Sequence, residues 1–316
     1  MVEIGLVLVA GGVLLWLFRR DRAQPPPDLE RVFRGTPADR YVGCRLGPYR
    51  LVGVVGKGSS AVVYRAVPDE TLDAKEACAV KVLNPELSRD SQFRARFQRE
   101  IQILRRLKHP GIVRMDDFGE FQGLMYLVTE LVPGLPLRKT LLQKGLSLDT
   151  ARSYFSQLAE AVYHAHSEGV IHRNVKPENV MVRPDGTLKL VDFGLARPLV
   201  ARSNITLPGA ILGTPAYMAP EQITGGELTS ACDQYSLGIV LFEMLGGRRP
   251  FQGNETIPLL MQHISQEIPS LHQLRPELPP AVDAVVARMI AKEPAQRFGS
   301  VKESLDAFTA SLAGSL

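Results

Sequence analysis

Three short motifs in the second half of this chain constrain its fold more than any other feature. In order along the chain they are His172-Arg173-Asn174-Val175-Lys176-Pro177-Glu178-Asn179, then Asp192-Phe193-Gly194, then Gly213-Thr214-Pro215-Ala216-Tyr217-Met218-Ala219-Pro220-Glu221. Their spacing is specific enough to decide among classes of protein.

Length and composition agree with an ordinary globular chain. The 316 residues leave room for two domains or for one domain with two lobes. Hydrophobic residues make up 45% and charged residues 22%, which excludes a disordered chain, a fibre and a multi-span membrane protein. A net charge of +4 is too small for a chain-wide nucleic-acid surface. The three widely spaced cysteines form neither a disulfide framework nor a zinc site, which favours a reducing compartment.

The N-terminus carries the strongest localisation signal. Residues 4–18 are apolar and uncharged, and Arg19, Arg20 and Arg22 follow at once. A signal peptide has its positive charge before the apolar run, whereas here Glu3 precedes it. We therefore expect residues 1–20 to be a single-pass transmembrane anchor with its basic flank in the cytoplasm, while a cleaved signal and a buried helix remain alternatives. The polar, proline-rich residues 21–47 are expected to be a juxtamembrane linker.

A glycine-containing turn lies between two strand-like segments. The turn is Gly56-Lys57-Gly58-Ser59-Ser60-Ala61, inside YRLVGVVGKGSSAVVYRAV. A backbone without Cβ atoms can approach phosphate closely and donate its amides, although a simple glycine hairpin explains the turn equally well. Lys81 follows on a third strand-like segment, and Glu100 lies on an amphipathic helix that is expected to end before His109-Pro110-Gly111.

Together, the turn, the lysine and the three motifs resemble the signature set of protein kinases over about residues 48–312. The phrases KPEN and GTPAYMAPEQ are similar to the serine/threonine branch, close to bacterial receptor-type kinases. The resemblance implies an α+β, two-lobed fold, with a strand-rich N-lobe over residues 48–132 and a helical C-lobe over residues 133–312. Chance agreement of all five elements in order is negligible.

The resemblance also implies roles for individual residues. Lys81 binds the ATP phosphates and is held by Glu100, while Lys176 and Thr214 line the site of phosphoryl transfer. Asn179 and Asp192 coordinate Mg²⁺, which prefers hard oxygen ligands. The segment Leu127–Pro133 accepts the adenine. The implied ATP-binding set is Val55, Gly56, Lys57, Gly58, Val63, Ala79, Lys81, Thr129, Glu130, Val132, Asn179 and Asp192. Asp233, and Arg297 paired with Glu221, are structural in the family.

Two residues depart from the family pattern: Ala61 replaces the third glycine of the glycine-rich loop, and the more consequential change is in the catalytic loop. The catalytic-loop triplet ends in aspartate in the family and in Asn174 here. An amide oxygen can orient a substrate hydroxyl, but it has no useful basicity. Loss of general-base help costs roughly 10²- to 10⁴-fold in rate. Two explanations stay open: Asn174 is natural to a pseudokinase, or it was introduced to trap an inactive state.

Partners are constrained by the same residues. In the family, an arginine at the position of Arg173 pairs with a phosphorylated activation loop, for which Ser203 and Thr206 are candidates. The arginine-rich helix around Glu100 is expected to be a solvated face and not a nucleic-acid site. His164 and His166 lie two apart and are expected to pack rather than bind metal.

The sequence thus favours a membrane-anchored serine/threonine protein kinase of reduced activity, with ATP and Mg²⁺ as cofactors and proteins at the membrane surface as substrates or partners. A nucleotide-binding pseudokinase that acts as a scaffold or allosteric partner is the first alternative. A purely structural domain that binds no ATP is the second.

Overall fold

The computed structural model describes residues 42–58, 60–141, 145–193 and 214–313. The expected anchor, most of the expected linker, and the candidate phosphorylation sites Ser203 and Thr206 lie outside these ranges. None of the helices within the described part of the chain is both long and apolar enough to cross a bilayer. The chain divides into two compact units, one ending at Arg89 and including Phe118–Val128, the other formed by Asp90–Asp117 and by the chain from Thr129 onward.

The first unit is built on a six-stranded sheet in the order β1-β2-β3-β4-β6-β5. The strands are β1 (Arg45–Leu46), β2 (Tyr49–Lys57), β3 (Ala61–Pro68), β4 (Cys78–Leu83), β5 (Met115–Phe121) and β6 (Leu124–Glu130). Strands β1 to β4 pair antiparallel with their sequence neighbours. The two strands expected on either side of the glycine turn are therefore confirmed as β2 and β3.

Alternation along β3 and β4 separates two faces of this sheet. Val62, Tyr64, Val80 and Val82 are buried in the apolar core of the unit. Because side chains alternate between faces along a strand, the residues between them lie on the opposite face. A short helix, α1 (Pro85–Arg89), follows β4, and its Ser88 hydroxyl accepts the backbone N–H of Met125 at 3.2 Å.

The expected amphipathic helix is α2 (Ser91–Leu104). It begins where the Asp90 carboxylate accepts the N–H groups of Gln92 and Phe93, and the expected apolar face, Phe93 with Phe97 and Ile101, is buried. The helix ends at Leu104, before His109-Pro110-Gly111, as predicted. Leu107 is still buried, although it lies beyond the last helical turn.

The second unit is mainly helical. Its helices are α2, α3 (Leu137–Thr140), α4 (Leu148–Ser167), α5 (Pro220–Thr224), α6 (Ala231–Gly246), α7 (Thr256–Ser265), α8 (Leu271–Leu274), α9 (Pro280–Met289) and α10 (Val301–Ala313). A small sheet in the order β7-β8-β9 is formed by Leu135–Pro136, Val180–Val182 and Leu188–Leu190. Short 3₁₀ turns at Pro177–Asn179 and Pro215–Tyr217 carry parts of the predicted site.

Helix α6 lies at the centre of this unit and packs against α4 and α9. Every residue from Cys232 to Leu245 is buried, as expected for a core helix. A Cβ atom at Gly238 would lie 2.5 Å from the Ile290 Cγ2, so only glycine permits this close approach to the end of α9. The helix ends at Gly247 with a φ of 71°, a left-handed conformation that favours glycine.

Candidate active site

The loop that carries Asn174 is held by a buried carboxylate on helix α6. Asp233 is fully buried and accepts the backbone N–H groups of His172 and Arg173, both at 2.7 Å. Arg173 has a φ of 62°, so the loop turns through a left-handed residue at this point. The two hydrogen bonds hold this strained turn in place, which confirms the structural role expected for Asp233.

His166 on helix α4 is the third partner of Asp233. Its Nε2 lies 2.9 Å from the Asp233 Oδ2. Although burial alone would raise it, the hydrogen bond and charge of His166 and the N–H of His172 hold the pKa of Asp233 below its usual value. His166, which was expected to pack, therefore also makes a hydrogen bond to the core helix α6 that its spacing did not predict. His164 does pack, since its ring is stacked on that of His109 at 5.1 Å.

The His172 ring links two of the three motifs. Its Nδ1 accepts the Asn174 N–H at 3.2 Å, so Nε2 carries the proton and donates to the Val191 carbonyl at 3.1 Å. The Phe193 ring packs against it with centroids 4.4 Å apart. Asp192, between these contacts, has a φ of 59°. The catalytic-loop motif and the Asp192-Phe193 motif are therefore brought together in the fold.

The third motif joins this arrangement through Thr214. The Lys176 Nζ donates to the Thr214 Oγ1 at 2.7 Å, which brings together the two side chains predicted for phosphoryl transfer. The Asn179 Nδ2 donates to the Asn174 carbonyl at 2.8 Å, so the Asn179 side chain is fixed under the loop. Asn174, Lys176 and Thr214 line one small cavity, together with Tyr217 and Ser236.

In the first unit, the predicted nucleotide residues lie together on the sheet. Val63 is paired in register with Lys81, and Ala79 lies two residues earlier on β4, so the three share the face opposite the core. Val55 lies at an irregularity between β2 and β3. Strand β2 ends at Lys57, and the N–H of the next residue, Gly58, donates to the Ala61 carbonyl at 2.9 Å.

Glu130 and Thr129 lie at the end of β6, and Val132 lies two residues further on. The Glu130 Oε1 accepts the Arg114 N–H at 2.8 Å and the Lys189 Nζ at 2.5 Å. Although burial alone would raise it, the Lys189 and Arg114 contacts lower the pKa of Glu130. The Glu130 carboxylate therefore stabilises the helical unit, and only its backbone is left for the predicted adenine contact.

Glu100, predicted to hold Lys81, lies on α2 in the helical unit. Its Oε1 is 3.7 Å from the Arg173 Nη1, so this helix makes an ion pair with the catalytic loop. Lys81 lies on β4 in the first unit. The pairing of Lys81 with Glu100 stays a prediction.

The donor set fits the metal and nucleotide that the motifs imply. Asn179 uses its Nδ2 as a donor, so its Oδ1 is the atom able to ligate a cation, and Asp192 supplies a carboxylate. An amide oxygen and a carboxylate are hard ligands of the kind that Mg²⁺ takes beside substrate phosphates. At Gly56, a Cβ atom would meet nothing within 4 Å, so the space over this backbone is open.

Four further polar residues meet beside the loop, and the motif reasoning gave none of them a site role. Arg138 on α3 contacts Glu178, Tyr217 and Glu243. These partners lie 40, 79 and 105 residues away along the chain. No local sequence signal marks Arg138, because its partners come from three separate segments.

The fold and the site formed by the three motifs define a protein kinase. The chain belongs to that family, because the family described as "Protein kinase domain" matches residues 49–307. Among its relatives are bacterial serine/threonine protein kinases. The chain is 37% identical over 258 residues to the probable serine/threonine-protein kinase PknB of Lactococcus lactis, covering 81% of this chain and 41% of the relative. It is 36% identical over 264 residues to the serine/threonine-protein kinase PrkC of Bacillus subtilis, covering 83% and 40%.

Solved structures agree with this assignment. The kinase domain of PknI from Mycobacterium tuberculosis superimposes with a TM-score of 0.69 at 29% identity, covering 86% of this chain and 98% of that domain. This confirms the predicted two-lobed fold with a strand-rich N-lobe and a helical C-lobe. The chain spans about 40% of the length of the PknB and PrkC relatives.

Proposed function

We propose that this chain is a membrane-anchored serine/threonine protein kinase that transfers the γ-phosphoryl group of Mg-ATP to protein hydroxyls at a rate lowered by Asn174. One observation carries the proposal. The Lys176 Nζ donates to the Thr214 Oγ1 at 2.7 Å, and both residues line one small cavity together with Asn174, whose side chain is an amide.

The transfer step shows why Asn174 lowers the rate. The oxygen of the substrate hydroxyl forms a bond to the γ-phosphorus, the bond to the β–γ bridging oxygen breaks to leave ADP, and the hydroxyl proton passes to an oxygen of the transferred phosphoryl group or to water. The Asn174 amide oxygen can accept a hydrogen bond from that hydroxyl but cannot take up its proton. Positioning and electrostatics dominate phosphoryl transfer, so Lys176 and the metal ligands Asn179 and Asp192 retain part of the catalysis.

The decisive experiment measures phosphate transfer from labelled ATP to the protein itself and to a generic basic protein. Asn174→Asp should raise turnover at least about a hundredfold, because it restores a general base. Lys81→Ala supplies the background, since it removes the predicted phosphate contact. Wild-type signal above that background supports a slow kinase. No gain from Asn174→Asp would contradict the proposed catalytic geometry.

The specific observation that favours a pseudokinase is the same amide at position 174. Background-level signal in the wild type, restored by Asn174→Asp, would establish that alternative. A thermal melt with Mg-ATP separates both from a domain that binds no nucleotide, because ligand at 100 times its dissociation constant adds about 2.7 kcal/mol of stability.

Membrane attachment is proposed from residues 4–18 alone, with the kinase domain on the cytoplasmic side. The full chain should sediment with membranes and resist extraction by carbonate or high salt. Deletion of residues 1–20 should release it. Extraction of the full chain by salt alone would contradict the anchor and would leave the kinase proposal intact.

Phosphorylation of Ser203 or Thr206 is proposed as the regulatory input through Arg173, whose Nη1 now lies 3.7 Å from the Glu100 Oε1. A phosphate brings nearly two negative charges and would compete for this guanidinium. If the wild type is inactive, another kinase must supply the phosphate. Phosphopeptide mapping of the chain from its native membrane tests this directly, and unmodified Ser203 and Thr206 would contradict it.

A further inference from the structure

The Arg138 side chain lies at the centre of a polar network in the helical unit. Its Nε donates to the Glu178 Oε1 at 2.7 Å and its Nη1 to the Glu243 Oε1 at 2.7 Å. Its Nη2 donates to the Tyr217 hydroxyl, which in turn donates to the Glu243 Oε2 at 2.6 Å. One guanidinium thus joins α3, the 3₁₀ turn Pro177–Asn179, the 3₁₀ turn Pro215–Tyr217 and helix α6.

The Arg138 network combines opposite charges with partial or full burial of its side chains. Side-chain exposure is 7% for Glu243 and 33% for Arg138, and Tyr217 is buried. Burial, followed by the negative charge of Glu243, raises the pKa of Tyr217, so its hydroxyl stays a donor. The Glu178 and Glu243 carboxylates share one cation, and without Arg138 the nearly buried Glu243 carboxylate would lose its ion-pair partner. A planar guanidinium can serve three partners at once, which an ammonium cannot do with the same geometry.

The network reaches both sides of the transfer site. Glu178 lies between Lys176 and Asn179 in the catalytic loop, and Tyr217 lies three residues after Thr214. The Ser236 hydroxyl also donates to the Tyr217 carbonyl at 2.8 Å, which fixes that segment to α6. Arg138 therefore connects the segment that carries Lys176 to the segment that carries Thr214.

We propose that Arg138 is a positioning residue for phosphoryl transfer: it holds the Lys176 and Thr214 segments in the register that their hydrogen bond requires. This inference rests on the proposed kinase function. The reason is geometric, because phosphoryl transfer depends on placement of the reacting groups, and a displacement of about 1 Å can cost 10²-fold in rate. Arg138 contacts neither of the two side chains and acts through Glu178 and Tyr217.

The test uses the full chain carrying Asn174→Asp, so that turnover is high enough to measure. Arg138→Gln should lower kcat for a protein substrate about 10- to 100-fold and leave the KM for ATP within about twofold. Arg138→Lys should recover only part of the loss, because lysine keeps the positive charge but lacks the planar guanidinium that donates to several partners at once. Adding Glu243→Gln to Arg138→Gln should restore part of kcat, since it removes the uncompensated charge.

Arg275→Gln is the matched control, because Arg275 also pairs with a carboxylate, Glu277, and donates to the Leu245 carbonyl at 2.8 Å. Hydrogen exchange at the Tyr217 and Met218 amides gives a readout independent of activity, and it should accelerate in Arg138→Gln and not in Arg275→Gln. If Asn174→Asp is inactive, the kinase proposal fails, and the hydrogen-exchange data alone then test whether Arg138 holds the Tyr217 segment in place. Unchanged exchange, or an equal kcat loss in both variants, would overturn it.

Discussion

At the scale of single residues, the structure brings side chains of separate motifs together: the Lys176 Nζ donates to the Thr214 Oγ1, and the Asn179 Nδ2 donates to the Asn174 carbonyl. The resemblance to kinase motifs predicted that these residues belong to one site, because such motifs are identified by residue type and short spacing. Their roles in phosphoryl transfer stay predictions. Spacing could not predict the Glu130 contacts, because Lys189 lies 59 residues away.

The Lys176–Thr214 hydrogen bond gives a prediction at this scale. Thr214→Val removes the acceptor of a charged donor and keeps the side-chain shape, so activity in an Asn174→Asp chain should fall about tenfold or more. Thr214→Ser retains the hydroxyl and is the matched control, with a loss of no more than about threefold. Equal losses in both variants, measured as kcat, would show that the methyl group rather than the hydrogen bond matters.

At the scale of elements, amphipathic periodicity predicted the existence of β2, β3 and α2 and the buried face of α2. The prediction that α2 ends before His109 is also confirmed: the helix stops at Leu104, and the Arg106 and Leu107 N–H groups then donate to the carbonyls of Ile103 and Leu104. Proline and glycine give only the latest position at which a helix can end, and they do not identify the residue at which it ends. The start of the helix depends on a local contact, because the Asp90 side chain accepts the N–H groups of Gln92 and Phe93.

The predicted pair Arg297–Glu221 joins α5 to the segment before α10 and is confirmed. The Nη1 and Nη2 atoms of Arg297 lie 2.7 and 2.9 Å from the two Glu221 oxygens, and the Arg297 side chain has no exposed area. Arg297→Met should lower the free energy of unfolding by about 3–5 kcal/mol, because it leaves a buried carboxylate unpaired.

The control for this prediction is the exposed pair of Lys302 and Asp306 on α10, where Lys302→Met should cost less than about 1 kcal/mol. Denaturant titrations measure both variants. The double variant Arg297→Met with Glu221→Gln should regain part of the loss, since no buried charge is then unpaired. A cost for Arg297→Met as small as that for Lys302→Met would refute the structural role.

At the scale of the whole molecule, stability should depend on pH through His263. This residue is fully buried on α7, with its Nδ1 2.9 Å from the Tyr235 hydroxyl and its ring 4.9 Å from that of Phe251. Burial, aided by the positive charges of Lys292 and Arg249, lowers the pKa of His263 to about 3. The folded protein therefore resists protonation that the unfolded chain accepts below about pH 6.5.

The sign follows from proton uptake: as pH falls from 6.5 towards 3, the unfolded state binds the extra proton and stability is lost. The loss should reach roughly 2 kcal/mol by pH 5. Lys292, whose pKa is lowered to about 8, stays protonated in this window and adds no slope. Thermal melts of the wild type and of His263→Asn between pH 7 and 5 should differ in slope, and parallel curves would exclude His263 as the source.

The sequence alone determined the family, the two-lobed fold and the order of the motifs, because these depend on residue type and short spacing. Only the tertiary structure decided which buried polar groups meet. Arg138 could pair with any of the 33 acidic residues, and Asp233 finds its donors 60, 61 and 67 positions away. A charge in the sequence specifies the kind of partner, whereas packing of α3, α4 and α6 around the catalytic loop selects the one that is close enough to bind.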